Sequence, residues 1–336
     1  MVEWAPLKIP LKRRVQTFFV MFQVYMFLFG HIFGTCLLLL LLLNAYTRIF
    51  AALYIGWAFI LNSRTPSRGG RSFQLARRCK MWKYYCDYFP IRLIKTAELD
   101  PTENYIFGYH PHGIIGLGAL GNFCGEGTGF SEKFPGIYPH LLTLTVNFKF
   151  PFSREYCMAM GVCSVDKDSI EYILTKMGPG HSAAIVIGGA AESLEARPGN
   201  FKLTLKDRKG FVKLALRNGA SLVPVFSFGE NDLYDQVSNP SGSALRHWQT
   251  KVKELMGFAP PLFHGRGVFQ YTFGLLPYRR PIHTVFGAPI NVNKVKSPTA
   301  EEVDKLHCQY ITALQDLFDK HKRNYGIDED KCLIIC

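Results

Sequence analysis

From Val15 to Thr47 the chain carries no Asp, Glu, Lys or Arg, and Leu37 to Leu43 is an unbroken leucine run. A run of this length exceeds a signal-peptide core. Crossing a hydrocarbon layer of roughly 30 Å takes about 20 apolar residues, so the segment belongs in lipid rather than in a buried soluble hairpin. After the lone Arg48, a second apolar stretch runs from Ile49 to Leu61, with Tyr54 and Trp57 as interfacial anchors. Lys12, Arg13 and Arg14 precede the pair, and Arg64, Arg68, Arg71, Arg77, Arg78, Lys80 and Lys83 follow it without an acidic residue between. Positive flanks on both sides place both on the cytoplasmic face, which requires two short passes or a re-entrant hairpin turning near Asn44 to Arg48. The expected organisation is a basic cytoplasmic start (1–14), a membrane hairpin (15–63) and a cytoplasm-facing domain (64–336).

Beyond Pro66 the pattern changes to short apolar runs punctuated by Gly and Pro, without repeats. Asn104–Tyr109, Leu141–Val146, Ala183–Ile187 and Ser221–Phe228 predict strands, too apolar for a half-exposed sheet and so central. Gly210–Asn218 is apolar at helical spacing and closed by Gly219. The result is an α/β domain, a mixed sheet with flanking helices. Thr299–His321 opens with a cap-like Thr299-Ala300-Glu301-Glu302 and keeps Val303, Leu306, Tyr310, Leu314, Leu317 and Phe318 on one face, predicting an amphipathic closing helix.

A net charge of +13 fits an anionic membrane face or a phosphate-bearing ligand. It does not fit nucleic acid here, because zinc-finger spacing, aromatic RNA-binding signatures and an Arg-rich tail are all missing. Nine scattered cysteines with no C-x-x-C pair, and no permissible glycosylation sequon, read as reduced thiols in a cytosol-facing body.

The candidate chemistry lies at the end of the first predicted strand, in Tyr109-His110-Pro111-His112-Gly113. Chemistry in open α/β sheets collects beyond the carboxyl ends of strands. Proline stiffens the pair of imidazoles, and glycine follows where backbone freedom is needed. An imidazole can take the proton of an incoming hydroxyl, since its pKa lies near the working pH. Backbone N–H groups of Gly113, Gly116, Gly118 and Gly121 are candidate oxyanion donors. The bland reading is a pair of satisfied strand-end side chains. Zinc is disfavoured, because His140, His181 and His264 bring no Cys or carboxylate at ligand spacing. A serine hydrolase lacks its G-x-S-x-G elbow: Ser227 sits inside a predicted strand. A membrane-anchored lipid-binding protein would need only the hairpin and a cavity, and leaves the histidine motif without a task.

The order of motifs resembles the diacylglycerol acyltransferase type 2 family along the whole chain. Its marks are YFP at 88–90, HPHG at 110–113, PGIYPH at 135–140, GGAAESL at 188–194, RKGFVKLAL at 208–216 and LVPVFSFGEN at 222–231. The opening MVEWAPL and the run from FHGRGVFQY (263–271) through LLPYRRPI (275–282) resemble its acyl-CoA:monoacylglycerol acyltransferases. The resemblance implies a glycerolipid-acyltransferase-like fold and acyl transfer from acyl-CoA, as co-substrate, to monoacylglycerol in the endoplasmic reticulum membrane. It implies no resident cofactor and leaves a homo-oligomer open. Diacylglycerol and fatty alcohols are the alternative acceptors. The wider glycerolipid acyltransferases use His-x4-Asp, and none of the ten histidines here has Asp five residues on. Glu192 is the expected orienter, with helix capping or an Arg197 pair as the structural alternative. Arg208, Lys209, Arg266, Arg279 and Arg280, in glycine-rich or aromatic contexts, are the candidate acyl-CoA phosphate clamps.

Overall fold

The computed structural model describes residues 2–6, 8–240, 242–256 and 261–336. Met1 and Leu7 of the opening motif therefore lie outside the described residues.

The uncharged run forms one helix, α1 (Leu11–Leu43), of 33 residues. At 1.5 Å per residue it is about 50 Å long. Among the described helices it is the one long and apolar enough to cross a membrane. The chain reverses at 44–47, where Asn44 Oδ1 accepts from the Tyr46 N–H and the Thr47 hydroxyl donates to the Leu41 carbonyl. The return limb is α2 (Arg48–Ile55), continued by a π-helical turn over Gly56–Leu61. At about 21 Å it is less than half as long as α1. The sequence leaves two short passes or a re-entrant hairpin open; the two limbs are unequal in length, because the leucine run propagates as helix without a break up to Asn44.

α1 is not free of the body. Gln16, Val20, Gln23, Val24, Gly30 and Gly34 are buried on one stripe, while Phe18, Phe27, Phe33 and Leu40 are exposed. Gln23 and His31, polar members of the uncharged part of this helix, face protein. Tyr156 donates to Gln23 Oε1 at 2.5 Å, and His31 stands between Ser153 Oγ (2.9 Å) and Asn147 Oδ1 (3.2 Å), stacked on Phe150. The return limb is tied by Arg154 on α5 (Ser153–Ala159), which is nearly fully buried and donates to the Asn62 carbonyl.

The body is a seven-stranded mixed sheet. Its strands are β1 (Ile91–Lys95), β2 (Tyr105–His110), β3 (Tyr138–Thr143), β4 (Val162–Ser164), β5 (His181–Val186), β6 (Ser221–Phe228) and β7 (Ile282–Phe286). Their order is β1-β7-β6-β2-β5-β3-β4. β2 to β6 are mutually parallel; β7 runs antiparallel to β6, and β1 parallel to β7. β2 and β6 are buried at every residue, as central strands covered on both faces must be. One face packs aromatics around Phe107, Phe123, Phe130 and Phe286; the other packs Ile106, Val212, Leu222, Tyr310 and Phe318.

This topology gathers the motifs. The carboxyl ends of β2, β5 and β6, the start of β7 and the start of β1 share one edge, hereafter the carboxyl edge. HPHG begins with the last residue of β2, GGAAESL follows β5, Glu230 follows β6, and YFP, at the end of α3 (Lys80–Tyr88), leads into β1. α8 (Gly210–Asn218) begins at that edge with RKG. PGIYPH leads into β3 and lies at the opposite edge. α1 skirts the carboxyl edge from Gln16, bonded to Arg279 just before β7, to His31, bonded to Asn147 just after β3. Fifteen helical residues cover about 22 Å, and the four strand steps between β7 and β3 cover about 19 Å.

Local signals hold where they are strong. α8 ends at Gly219, with φ +69° and its N–H on the Ala215 carbonyl at 2.8 Å. α9 (Ala300–His321) opens with a full capping box between Thr299 and Glu302. One expectation shifts: the strand read at 141–146 is β3 at 138–143, and 145–149 is a 3-10 turn. Asn147 reaching back to the Thr143 hydroxyl stabilises that turn, and Pro139 disguises the true start of the strand.

Candidate active site

β2 delivers His110 and His112 to the carboxyl edge in different environments. His110 is fully buried. The Tyr310 hydroxyl donates to the Gly108 carbonyl (3.1 Å), leaving its oxygen to accept from His110 Nε2–H (3.0 Å). Burial pushes the His110 pKa down to about 3, so it is neutral at working pH. After the cis His110–Pro111 bond, His112 is only partly covered. Its Nδ1 lies 3.0 Å from the Gly113 carbonyl, which can only accept, so Nδ1 carries the proton and Nε2 presents a lone pair. Burial lowers the His112 pKa below its usual 6.5. The bend that aims this ring requires positive φ at Gly113 (+64°) and Gly116 (+81°).

Two buried carboxylates brace this loop. Glu192, on α7 (Gly189–Ser193), accepts from the His112 N–H (2.6 Å) with one oxygen and from the Thr204 N–H (2.8 Å) with the other. It therefore holds the His112 main chain rather than orienting a ring, the role expected of it from the motif order. Desolvation raises its pKa to about 7, against the two N–H groups and Arg208. Arg197, its alternative partner, is bonded instead to Asn239 and Val237.

Glu230 escaped sequence reasoning. It accepts from the Tyr109 hydroxyl (2.7 Å) and the Gly118 N–H (2.9 Å), and a Cβ at Gly113 would lie 2.8 Å from its Cγ. Burial raises it to about 7. The Gly118 N–H, offered above as an oxyanion donor, is thus occupied, and Gly121 lies inside α4 (Leu117–Phe123) against Ile91. An acid two residues past a predicted central strand was the available signal. Tyr310 was also missed as a site residue, counted only in the apolar stripe of α9, although a buried phenol needs a polar partner.

The five basic candidates separate. Arg208 and Lys209 border an open cleft of about 540 Å³ floored by Ile185 and Ile187, where Lys167, Lys213 and Arg217 bring the cations to five against Asp207. Lys209 also pairs with Asp304 (2.7 Å) and Arg217 with Glu171 (3.6 Å). Lys167 heads α6 (Lys167–Lys176). The cleft adjoins the histidine loop, since Arg208 acts on Glu192 and the Ile187 side chain packs against Gly108. Arg266, Arg279 and Arg280 do not line it. Arg266 lies over Tyr271 (4.2 Å), Arg279 over Tyr88 (4.0 Å) and Arg280 over Tyr278 (5.3 Å). Arg279 also donates to Gln16, Thr17 and the Arg13 carbonyl, clamping α1. The aromatic context that pointed to phosphate is cation–π stacking. His140 and His181 bond each other (3.0 Å) away from HPHG, and among the described residues no group of three ligands is placed to hold a metal ion.

The family model of diacylglycerol acyltransferases matches residues 40–336. The chain is 51% identical over 335 residues to 2-acylglycerol O-acyltransferase 1 of Bos taurus, covering 99% of each chain. It is 52% identical over 286 residues to diacylglycerol O-acyltransferase 2 of Homo sapiens, covering 85% of this chain and 74% of that one. Among solved structures, the 1-acyl-sn-glycerophosphate acyltransferase PlsC of Thermotoga maritima aligns with a TM-score of 0.40 at 11% identity, covering 91% of this chain and 95% of that one. Matched over most of its length and half identical to curated members from end to end, the chain belongs to the diacylglycerol acyltransferase family.

Proposed function

We propose that this protein transfers the acyl group of acyl-CoA to a hydroxyl of 2-monoacylglycerol at the cytoplasmic face of the endoplasmic reticulum membrane, with His112 as general base. The observation that carries this reading is the fixed tautomer of His112. Its Nδ1–H is held on the Gly113 carbonyl, and its Nε2 lone pair is left for a proton. Nε2 takes the hydroxyl proton as the alcohol oxygen attacks the thioester carbonyl. Collapse of the tetrahedral intermediate breaks the C–S bond, and the imidazolium returns the proton to the CoA thiolate. A lowered pKa keeps the base unprotonated at neutral pH. His110 then serves the reaction by holding the strand end against Tyr310.

The cationic cleft beside Glu192 is the proposed seat of the CoA phosphates. Charge reversal at Lys167 and Lys213 together (K167E/K213E), which line the cleft without acting on Glu192, is expected to raise the KM for acyl-CoA by at least about tenfold with kcat nearly unchanged, because these groups bind ground and transition states alike. Steady-state kinetics at fixed ionic strength checks this.

The end-to-end match to a 2-acylglycerol O-acyltransferase supports monoacylglycerol as acceptor; the similar identity to a diacylglycerol O-acyltransferase keeps diacylglycerol as the second candidate. Purified protein given labelled acyl-CoA and equal monoacylglycerol, diacylglycerol, fatty alcohol and retinol should make mostly diacylglycerol. A preference for alcohols would overturn the acceptor assignment.

A further inference from the structure

The amino-terminal arm and the loop 267–273 meet in one tip that the chemistry above leaves unused. The Ala5 N–H donates to the Phe269 carbonyl (2.9 Å), the Tyr271 N–H to the Glu3 carbonyl (2.8 Å), and the Glu3 N–H to Thr272 Oγ1 (2.8 Å). Chain segments far apart in sequence are thus hydrogen-bonded into a fixed surface. It presents Trp4 (71% exposed), Phe269 (72%) and Phe273 (67%) to the outside. A folded domain does not normally leave three large aromatics together in water.

We propose that this tip is an interfacial membrane anchor seated in the headgroup layer of an anionic leaflet. Two observations select the bilayer as its occupant. The first is continuity: Arg279, just beyond the loop, grips Arg13, Gln16 and Thr17, so the tip is fixed beside the first turns of the apolar helix α1. The second is charge. Lys8, Lys12, Arg13 and Arg14 follow the arm directly, against Glu3 and an Asp87 that faces Lys12 at 3.6 Å. Exposed aromatics beside a basic cluster match the chemistry of an anionic interface.

The anchor has a consequence for the site. The Tyr278 N–H donates to the Leu233 carbonyl (2.8 Å), three residues past Glu230, and the Tyr88 hydroxyl of YFP donates to the Pro277 carbonyl (2.7 Å). A tip held in the headgroups therefore turns the carboxyl edge toward the layer that contains acylglycerols. This inference rests on the membrane reading of α1 and is independent of the acyl-transfer chemistry.

The test uses the full chain in phosphatidylcholine vesicles with and without phosphatidylserine, carrying p-benzoylphenylalanine at Phe269, at Phe273 or, as control, at Tyr138. Tyr138 is 53% exposed at the opposite edge of the sheet. After irradiation, lipid adducts at 269 and 273 should exceed those at 138 by at least about tenfold and increase with phosphatidylserine. Adducts at the control level, or adducts to a second copy or another protein instead of lipid, would overturn the proposal. Because the readout is crosslinking, it stands even if no acyl transfer is found. A W4S/F269S/F273S variant should keep turnover on detergent-dispersed acceptor and lose about tenfold on acceptor in vesicles; equal loss on both would also count against it.

Discussion

Replacing His112 by alanine is expected to lower turnover by at least about 100-fold, with the KM for acyl-CoA changed little. About 2.7 kcal/mol of barrier corresponds to that factor. The expectation follows from a ring partly open to the crevice whose hydrogen bond, the one it makes among the described residues, fixes its tautomer. Removing it deletes a proton acceptor without breaking the core, so the melting temperature should stay close to wild type. His110→Ala should differ in kind. It empties a fully buried site and leaves the Tyr310 hydroxyl without its donor, so activity and melting temperature should fall together. Product formation and thermal unfolding of both variants, measured side by side, separate the roles.

Glu192→Ala is expected to cost at least about 100-fold in turnover as well, by a different route. Both carboxylate oxygens accept backbone N–H groups, and truncation of this buried side chain leaves the partly buried His112 and Thr204 amides without their acceptor. Each unmade bond costs about 1–3 kcal/mol, and the loop that aims the imidazole loses its brace. Glu192→Gln should fall between, because one amide oxygen can replace only one of the two acceptors. If Glu192 merely filled space, glutamine would be silent and alanine would lower stability without a disproportionate loss of kcat.

Much of this architecture was legible in the sequence because its strongest signals are local. Gly219 and the Thr299/Glu302 box mark helix ends, and continuous apolar runs mark β2, β5 and β6. What escaped depends on tertiary company. β1 and β7 carry Arg92, Lys95 and His283, which dilute the apolar pattern, and they become strands by pairing with each other and with β6. Gln16, Gln23 and His31 look incongruous in a lipid helix until the body that bonds them is folded beside it. Arg266 and Arg279 have the neighbours a phosphate clamp would have, yet those neighbours, Tyr271 and Tyr88, are the partners themselves. Glu230 and Tyr310 are 121 and 200 residues from the motif residues they bond, Tyr109 and His110, beyond the reach of any spacing rule.

The dependence of kcat/KM on pH, measured for wild type and for His112→Ala, bears most directly on the assignment of the base. Burial lowers the His112 pKa, so the neutral, proton-accepting form persists above the folded pKa and is lost as pH falls through it. Wild type should show an acid limb with a midpoint below 6.5, distinct from any change at about 7 that protonation of the Glu192 and Glu230 carboxylates imposes, and that lower limb should be missing from the residual activity of His112→Ala. A lower limb that survives unchanged in the variant would show that another group takes the proton.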